Sequence, residues 1–238
     1  MVIVRLSNKQ VVMGVGDGLP LAIGYIPIAV AFGLLAHSTG LTLIESVLMS
    51  GIVFAGASQF MALNLFMVSS HYEIILATFV LNLRHFMMAT TIRKTSNPLS
   101  LLSKLMIGAT LTDESFSVAA TQRKPLDGLY MIGLNVTGYL SWVIFSFIGY
   151  AFGGILPESL QESSGIALYA MFVGILAPSA KTSRKVLFLT FLSATLNIIF
   201  TEFSLLSSGW SIISATLFSA VLIEFVYSKI QSPFGGLS

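Results

Sequence analysis

The sequence predicts an all-α fold: a polytopic membrane helix bundle with about six crossings and one or two broken or re-entrant segments. Three observations predict it. Charged residues make up 9% of the 238-residue chain, where a soluble domain carries about 25%. Apolar types reach 55%, and mean hydropathy is +0.89. The apolar residues come in continuous runs, not in the alternation that a β-barrel strand requires. This composition excludes a soluble enzyme, a nucleic-acid binder and a disordered chain. With no cysteine, it also excludes disulfides, thiolate metal sites and iron–sulfur clusters. His37, His71 and His85 lie too far apart for a local metal pair, so no metal or cofactor is expected.

A crossing helix needs about 20 largely apolar residues. Residues 18–44, 46–72, 128–157 and 163–180 carry no charge, and 74–92 carries only Arg84. Residues 186–201 and 203–223 complete the candidates. Residues 1–17 are polar, and no convincing cleavage site follows the first apolar run, so 19–37 reads as a retained span. Pro27 and Pro178 fall inside spans and read as breaks or kinks.

Orientation follows the basic residues. If every candidate crosses, together with a weak segment at 105–121, the basic residues outside the membrane split between the two faces. If 41–69 dips in and returns, and 105–121 does not cross, all of them fall inside. Glu45, Glu73, Glu158 and Glu162 then fall outside. The second reading gives one membrane domain, 1–238, with cytoplasmic termini at 1–17 and 229–238. It also accounts for Ala55-Gly56-Ala57-Ser58, a weak helical centre within 41–69, since glycine costs about 1 kcal/mol relative to alanine in a helix. Backbone freed at a break near Gly56 must be buried in protein or line a cavity. A short internal similarity links residues 47–58 and 169–180, a pattern that in transporters marks repeated halves with the site between them.

Arg84 is the most informative residue. It lies roughly 15 Å into its span, where an arginine costs at least about 2.5–3.5 kcal/mol. A carboxylate, backbone carbonyls or a wet cavity must offset that cost. Function and a helix-locking ion pair both stay open. Thr78, Asn82 and His85 share a face beside it and suit hydrogen bonding across helices; His85 also has the chemistry of a proton relay. Asp113 and Glu114 point about 100° apart if helical. They suit either the cap of a helix start or the neutralisation of Arg84 or a substrate ammonium. Ser58 and Gln59 follow the small residues at 55–57. There the N–H groups of a second half-helix would form an anion site, or the small residues would only pack closely. Gly149-x-x-x-Gly153 reads as a helix contact. No nucleophile–base pair and no phosphate loop stands out, so the chain is not read as an enzyme.

GYIPIAVAFGLLA (24–36), MSGIVFAGASQF (49–60), LNLRHFMMA (81–89), LTDESF (111–116) and GYLSWV (138–143) together resemble the AzlC family, over about residues 14–180. That family comprises branched-chain amino acid permeases, the large subunits of two-component exporters. The resemblance implies a multi-pass protein of the bacterial inner membrane that pairs with a small AzlD-type membrane subunit. It implies export of leucine, isoleucine, valine or methionine, driven by the proton gradient. It carries over Gln59, Asn82, Arg84, His85, Asp113 and Glu114 as motif positions without assigning their roles. The rival expectation is a non-transporting assembly or scaffold subunit whose polar residues only lock helices.

Overall fold

The computed structural model describes residues 2–122, 126–155, 173–174, 176–177 and 180–231. Among them every regular element is helical, and five helices are long and apolar enough to cross a membrane. They are α1 (Val2–Ser38), α4 (His71–Thr95), α7 (Gly128–Gly153), α8 (Arg184–Glu202) and α9 (Ser208–Gln231). Shorter helices lie between them: α2 (Leu43–Leu48) with a π-helical turn after it (Met49–Val53), α3 (Gly56–Phe66), α5 (Leu101–Thr110) and α6 (Asp113–Ala120). The expected span 163–180, with Pro178 and the second copy of the 47–58 similarity, lies largely outside the described residues. Phe79, Phe86 and Met87 of α4 and Phe218 and Val221 of α9 are exposed, as suits helices facing lipid or another membrane chain.

The chain forms two compact units: residues 1–63 with 81–168, and residues 64–80 with 169–238. In the second, α8 and α9 form a helical hairpin tied by an ion pair between Lys185 and Glu224. Glu73 is one of the acids that the sequence places outside the membrane. It sits in the first turn of α4, buried, and accepts hydrogen bonds from Ser70 and Ser207. A helix N-terminus favours a carboxylate there.

The first unit is organised on α1 and α7, which run parallel along their length. Gly14 meets Tyr130, Gly33 meets Ser146, Gly149 meets Val30 and Gly153 meets His37. A Cβ at Gly14, Gly33 or Gly149 would overlap a carbonyl oxygen of the facing helix, so these backbones are in direct contact. This seam bears on two expectations. The segment 1–17, expected as a cytoplasmic N-terminus, is helical from Val2, and its Gly14 is already part of the seam. Pro27 does not break α1, which runs continuously through it. An interior proline costs about 3 kcal/mol, and the burial of Tyr25, Ala29 and Phe32 around it opposes that cost.

Two interrupted segments pack on this frame from opposite ends. The first enters beside Tyr150, whose hydroxyl donates to Leu41 O. Thr42 caps α2 in a capping box with Glu45. The chain descends to Gly51, whose carbonyl accepts from Tyr139, and breaks at Phe54–Ala55. It then returns through α3 past Trp142 to Phe60, which stacks edge-on against Phe32. The break is set by Phe54, left-handed at φ 41°, and not by Gly56. Gly56 instead opens α3 and lets Trp142 lie against the backbone.

The second segment enters at the other end. Asn97 N–H donates to Leu126 O, and Leu99 packs on Gly128 at the start of α7. Ser100 caps α5, and Asn135 donates to Ile107 O. The chain breaks at Leu111–Thr112 beside Tyr25, then returns through α6 to Gln122, which donates to Tyr130 and Asp17. So neither 43–63 nor 101–120 forms a single continuous helix; each is broken and turns back on the α1–α7 frame.

A repetition follows that sequence similarity did not reveal. Residues 43–95 and 101–153 each form a broken hairpin followed by a long helix, and each covers 53 residues. The C-terminal end of α4 meets the N-terminal end of α7 through Leu126, which bonds to Thr95 and Asn97. The two copies therefore have opposite sense.

The cysteine-free chain makes this arrangement testable. Single cysteines at Asn97 and Gln122 should label from one face of the membrane, and a cysteine at Thr39 from the other. Labelling of positions 97 and 122 from opposite faces would mean that 105–121 crosses.

Candidate functional site

The two breaks meet α4 at its middle. Ser58, in the first turn of α3, donates to Asn82 Oδ1 at 2.5 Å. Arg84 pairs with Asp113, in the first turn of α6, at 2.6 Å. Both hairpin tips are thus held by side chains two residues apart on one helix. The pair keeps about a third of each side chain exposed, 31% and 28%, so it borders open space and is not sealed in the core. Tyr25 donates its hydroxyl towards Thr112 and Glu114, each at 2.7 Å, and ties the same tip to α1.

Between the tips lies a cavity of about 220 Å³. Its walls are Ile52, Val53, Phe54 and Ala55 from the first break, Asn82 and His85 from α4, and Gly108, Ala109 and Leu111 from the second. Two buried nitrogens, His85 Nδ1 on a wall residue and Arg84 Nε on the residue before it, have no hydrogen-bond partner among the described residues.

The two tips differ in electrostatics. At α6, Thr112 and Ser115 form a capping box, and Asp113 and Glu114 place two acids in the first turn. At α3 the first turn holds no acid, and helix geometry leaves its leading N–H groups without partners in the helix. One tip therefore favours an anion and the other a cation.

Of the expected site residues, Asn82 and His85 line the cavity, Ser58, Arg84 and Asp113 make the polar ties at the tips, and Glu114 bonds to Tyr25; the remaining ones are placed elsewhere or lie outside the described residues. Gln59 is fully buried and spent within the first hairpin, donating to Ser50 and accepting from Trp142 Nε1. It seats the hairpin and does not reach the cavity wall. Thr78 bonds back to Ile74 O in its own helix, not across to another. Pro178 lies outside the described residues. No group of three metal-ligating side chains occurs among the described residues.

Sequence reading missed Tyr25, Tyr139, Trp142 and Gly108. Tyr25 and Trp142 lie in GYIPIAV and GYLSWV, which were legible as motifs. Only their contacts reveal that they hold the hairpins.

Opposed broken hairpins around a cavity, in a bundle of apolar helices, define a polytopic membrane protein. The chain belongs to the AzlC family: the family described as AzlC protein matches residues 20–156. It is 32% identical over 181 residues to the inner membrane protein YgaZ of Escherichia coli K12, covering 72% of this chain and 74% of that one. It is 31% identical over 170 residues to an uncharacterized membrane protein of Archaeoglobus fulgidus, covering 71% and 75%. To the branched-chain amino acid transport protein AzlC of Bacillus subtilis it is 27% identical over 175 residues, covering 70% and 66%. No solved structure matches the chain.

Removing one partner of the Arg84–Asp113 pair leaves a charge facing apolar surroundings, a loss of about 3–5 kcal/mol for a buried pair and less at this partial exposure. Arg84→Ala should lower the melting temperature of the purified protein. Adding Asp113→Asn to Arg84→Ala should recover most of the loss. An equally unstable double variant would show that the pair is not what holds the second tip.

Proposed function

We propose that the chain is the large subunit of a secondary transporter that exports branched-chain amino acids across the bacterial inner membrane. Its substrates are valine, leucine, isoleucine and methionine, its driving force the proton gradient, and its partner a small AzlD-type membrane subunit. The observation that carries this reading is the cavity between the two hairpin tips. Its volume of about 220 Å³ lies below the range of about 300–1,000 Å³ for drug-sized ligands and suits a small amino acid. The α3 tip and the guanidinium of Arg84 suit a carboxylate. Asp113 and Glu114 suit an ammonium; like Arg84, they are not on the cavity wall but close in sequence to its residues Leu111 and His85. Ile52, Val53 and Leu111 of the wall suit a branched apolar side chain.

The mechanism follows from the ion pair. A substrate carboxylate approaching Arg84 competes with Asp113, and the substrate ammonium then offers Asp113 a replacement partner. Binding exchanges one internal ion pair for two intermolecular ones. The second tip is freed from α4 without leaving a lone charge behind, which would be the costly outcome. His85, on the cavity wall, and Glu114, bonded to Tyr25, are the proton-handling candidates. A relative named for branched-chain amino acid transport supports the substrate class.

The orientation is part of the proposal. Lys9, Arg93, Lys94 and Lys104 belong to the end of the bundle where α7 starts, and the positive-inside rule makes that end cytoplasmic.

Inside-out vesicles holding the chain and its small subunit should take up radiolabelled valine under a proton gradient. The chain alone should not, nor should it relieve valine toxicity in an exporter-deficient host. Arg84→Ala should abolish uptake, and Arg84→Lys should restore little, because lysine lacks the planar fork. Arg84→Ala/Asp113→Asn should be stable yet inactive. Normal export by that double variant would reduce the pair to a helix lock and favour a scaffold.

A further inference from the structure

A second cavity shares a wall with the first. It is a groove of about 260 Å³ between the last turns of α4 and α5, lined by Phe86, Ile92 and Arg93 on one side and Lys104, Ile107 and Gly108 on the other. Gly108 also lines the central cavity. A Cβ built on Gly108 meets nothing within 4 Å, so the space beside it is open. We propose that this groove is the vestibule through which substrate reaches the central cavity from the cytoplasm, and that it receives a small apolar amino acid carboxylate first. This rests on the transport reading above and adds a route and a second binding site to it.

The chemistry of the groove selects the ligand. Its floor is formed by Ile92 and Ile107, both buried. Arg93 and Lys104 are exposed, and neither pairs with a carboxylate among the described residues. The Thr90 hydroxyl, on the same wall, is spent on Met87 O. The groove therefore offers cations and hydrocarbon but no acid. It can attract a carboxylate and cover an apolar side chain, while the ammonium stays in water. Such a site collects substrate without trapping it, and the acids that complete binding wait further in, at Asp113 and Glu114. An anionic phospholipid shares the same two chemistries. The amino acid is favoured because the groove ends at the wall of the central cavity and because its volume suits one small molecule.

The lack of native cysteine supplies the test. Gly108→Cys, expressed with the small subunit in inside-out vesicles, should react with a membrane-impermeant anionic thiosulfonate. Valine should slow that reaction, and modification should abolish valine uptake. Gly108→Leu should reach the membrane at the normal level, since open space surrounds the position and leucine favours the helix, yet cut uptake by about tenfold or more, an effect on access rather than folding. Arg93→Gln/Lys104→Gln should raise KM by about fivefold with kcat unchanged, as expected for lost steering and initial binding. A Gly108→Cys protein that reacts only with an apolar, membrane-permeant maleimide would mean that lipid fills the groove, and would overturn the proposal. Full transport by Gly108→Leu would do the same. Labelling by the impermeant reagent does not depend on valine being the substrate. Absence of valine uptake by the unaltered complex would therefore overturn the transport reading while the labelling still decides whether the groove is an aqueous route.

Discussion

The constraint that organises this structure is the cost of unpaired backbone groups away from water. A helix stopped in mid-membrane leaves N–H and C=O groups without partners, and each costs several kcal/mol in hydrocarbon. The chain stops two helices in this way, at Phe54–Ala55 and at Leu111–Thr112. Several of the polar contacts in the first unit answer that cost. Tyr139 and Asn135 donate to carbonyls approaching the two breaks, Thr112 caps the half-helix after the second, and Tyr150 fixes the point where the first segment enters. What stays unanswered at the tips is available to the ligand proposed above. The cavity is thus a consequence of the interruptions, and its electrostatics follow from which half-helix end is already occupied by acids.

Much of this was legible in the sequence, for physical reasons. The apolar runs announced the long helices because lipid tolerates little else. Arg84 stood out because a guanidinium in mid-membrane demands a partner, and Asp113 and Glu114 were candidates to neutralise it. The structure pairs it with Asp113. Small residues at 55–57 marked the first interruption to within two residues.

Other features were not legible because they depend on contacts between distant segments. Gln59 looks like a ligand-binding amide after a helix break, and only the positions of Ser50 and Trp142 show that its hydrogen bonds are already made. Pro27 looks like a breaker, and only the packing of α1 on α7 shows why the helix continues. The paired hairpin–helix units escaped notice because the repetition is one of length and direction. Helix α4 carries Asn82, Arg84 and His85 at its middle, whereas α7 carries Tyr139, Ser141 and Trp142. The same architectural position is filled with different chemistry in each copy.

The glycine seam between α1 and α7 has a kinetic consequence. Where backbone rests on backbone, no side chain can change rotamer to accommodate sliding, so the two helices move as a single stiff post. Each hairpin, by contrast, is tied to α4 by a polar side-chain contact at its tip, Ser58 to Asn82 and Asp113 to Arg84, and the second also shares an apolar cluster with Met88 and Ile92 of α4 through Ile107, Leu111 and Ala119. A polar contact of that kind breaks and reforms by torsions of a few side-chain bonds, so an adjustment at either tip needs no movement of the post.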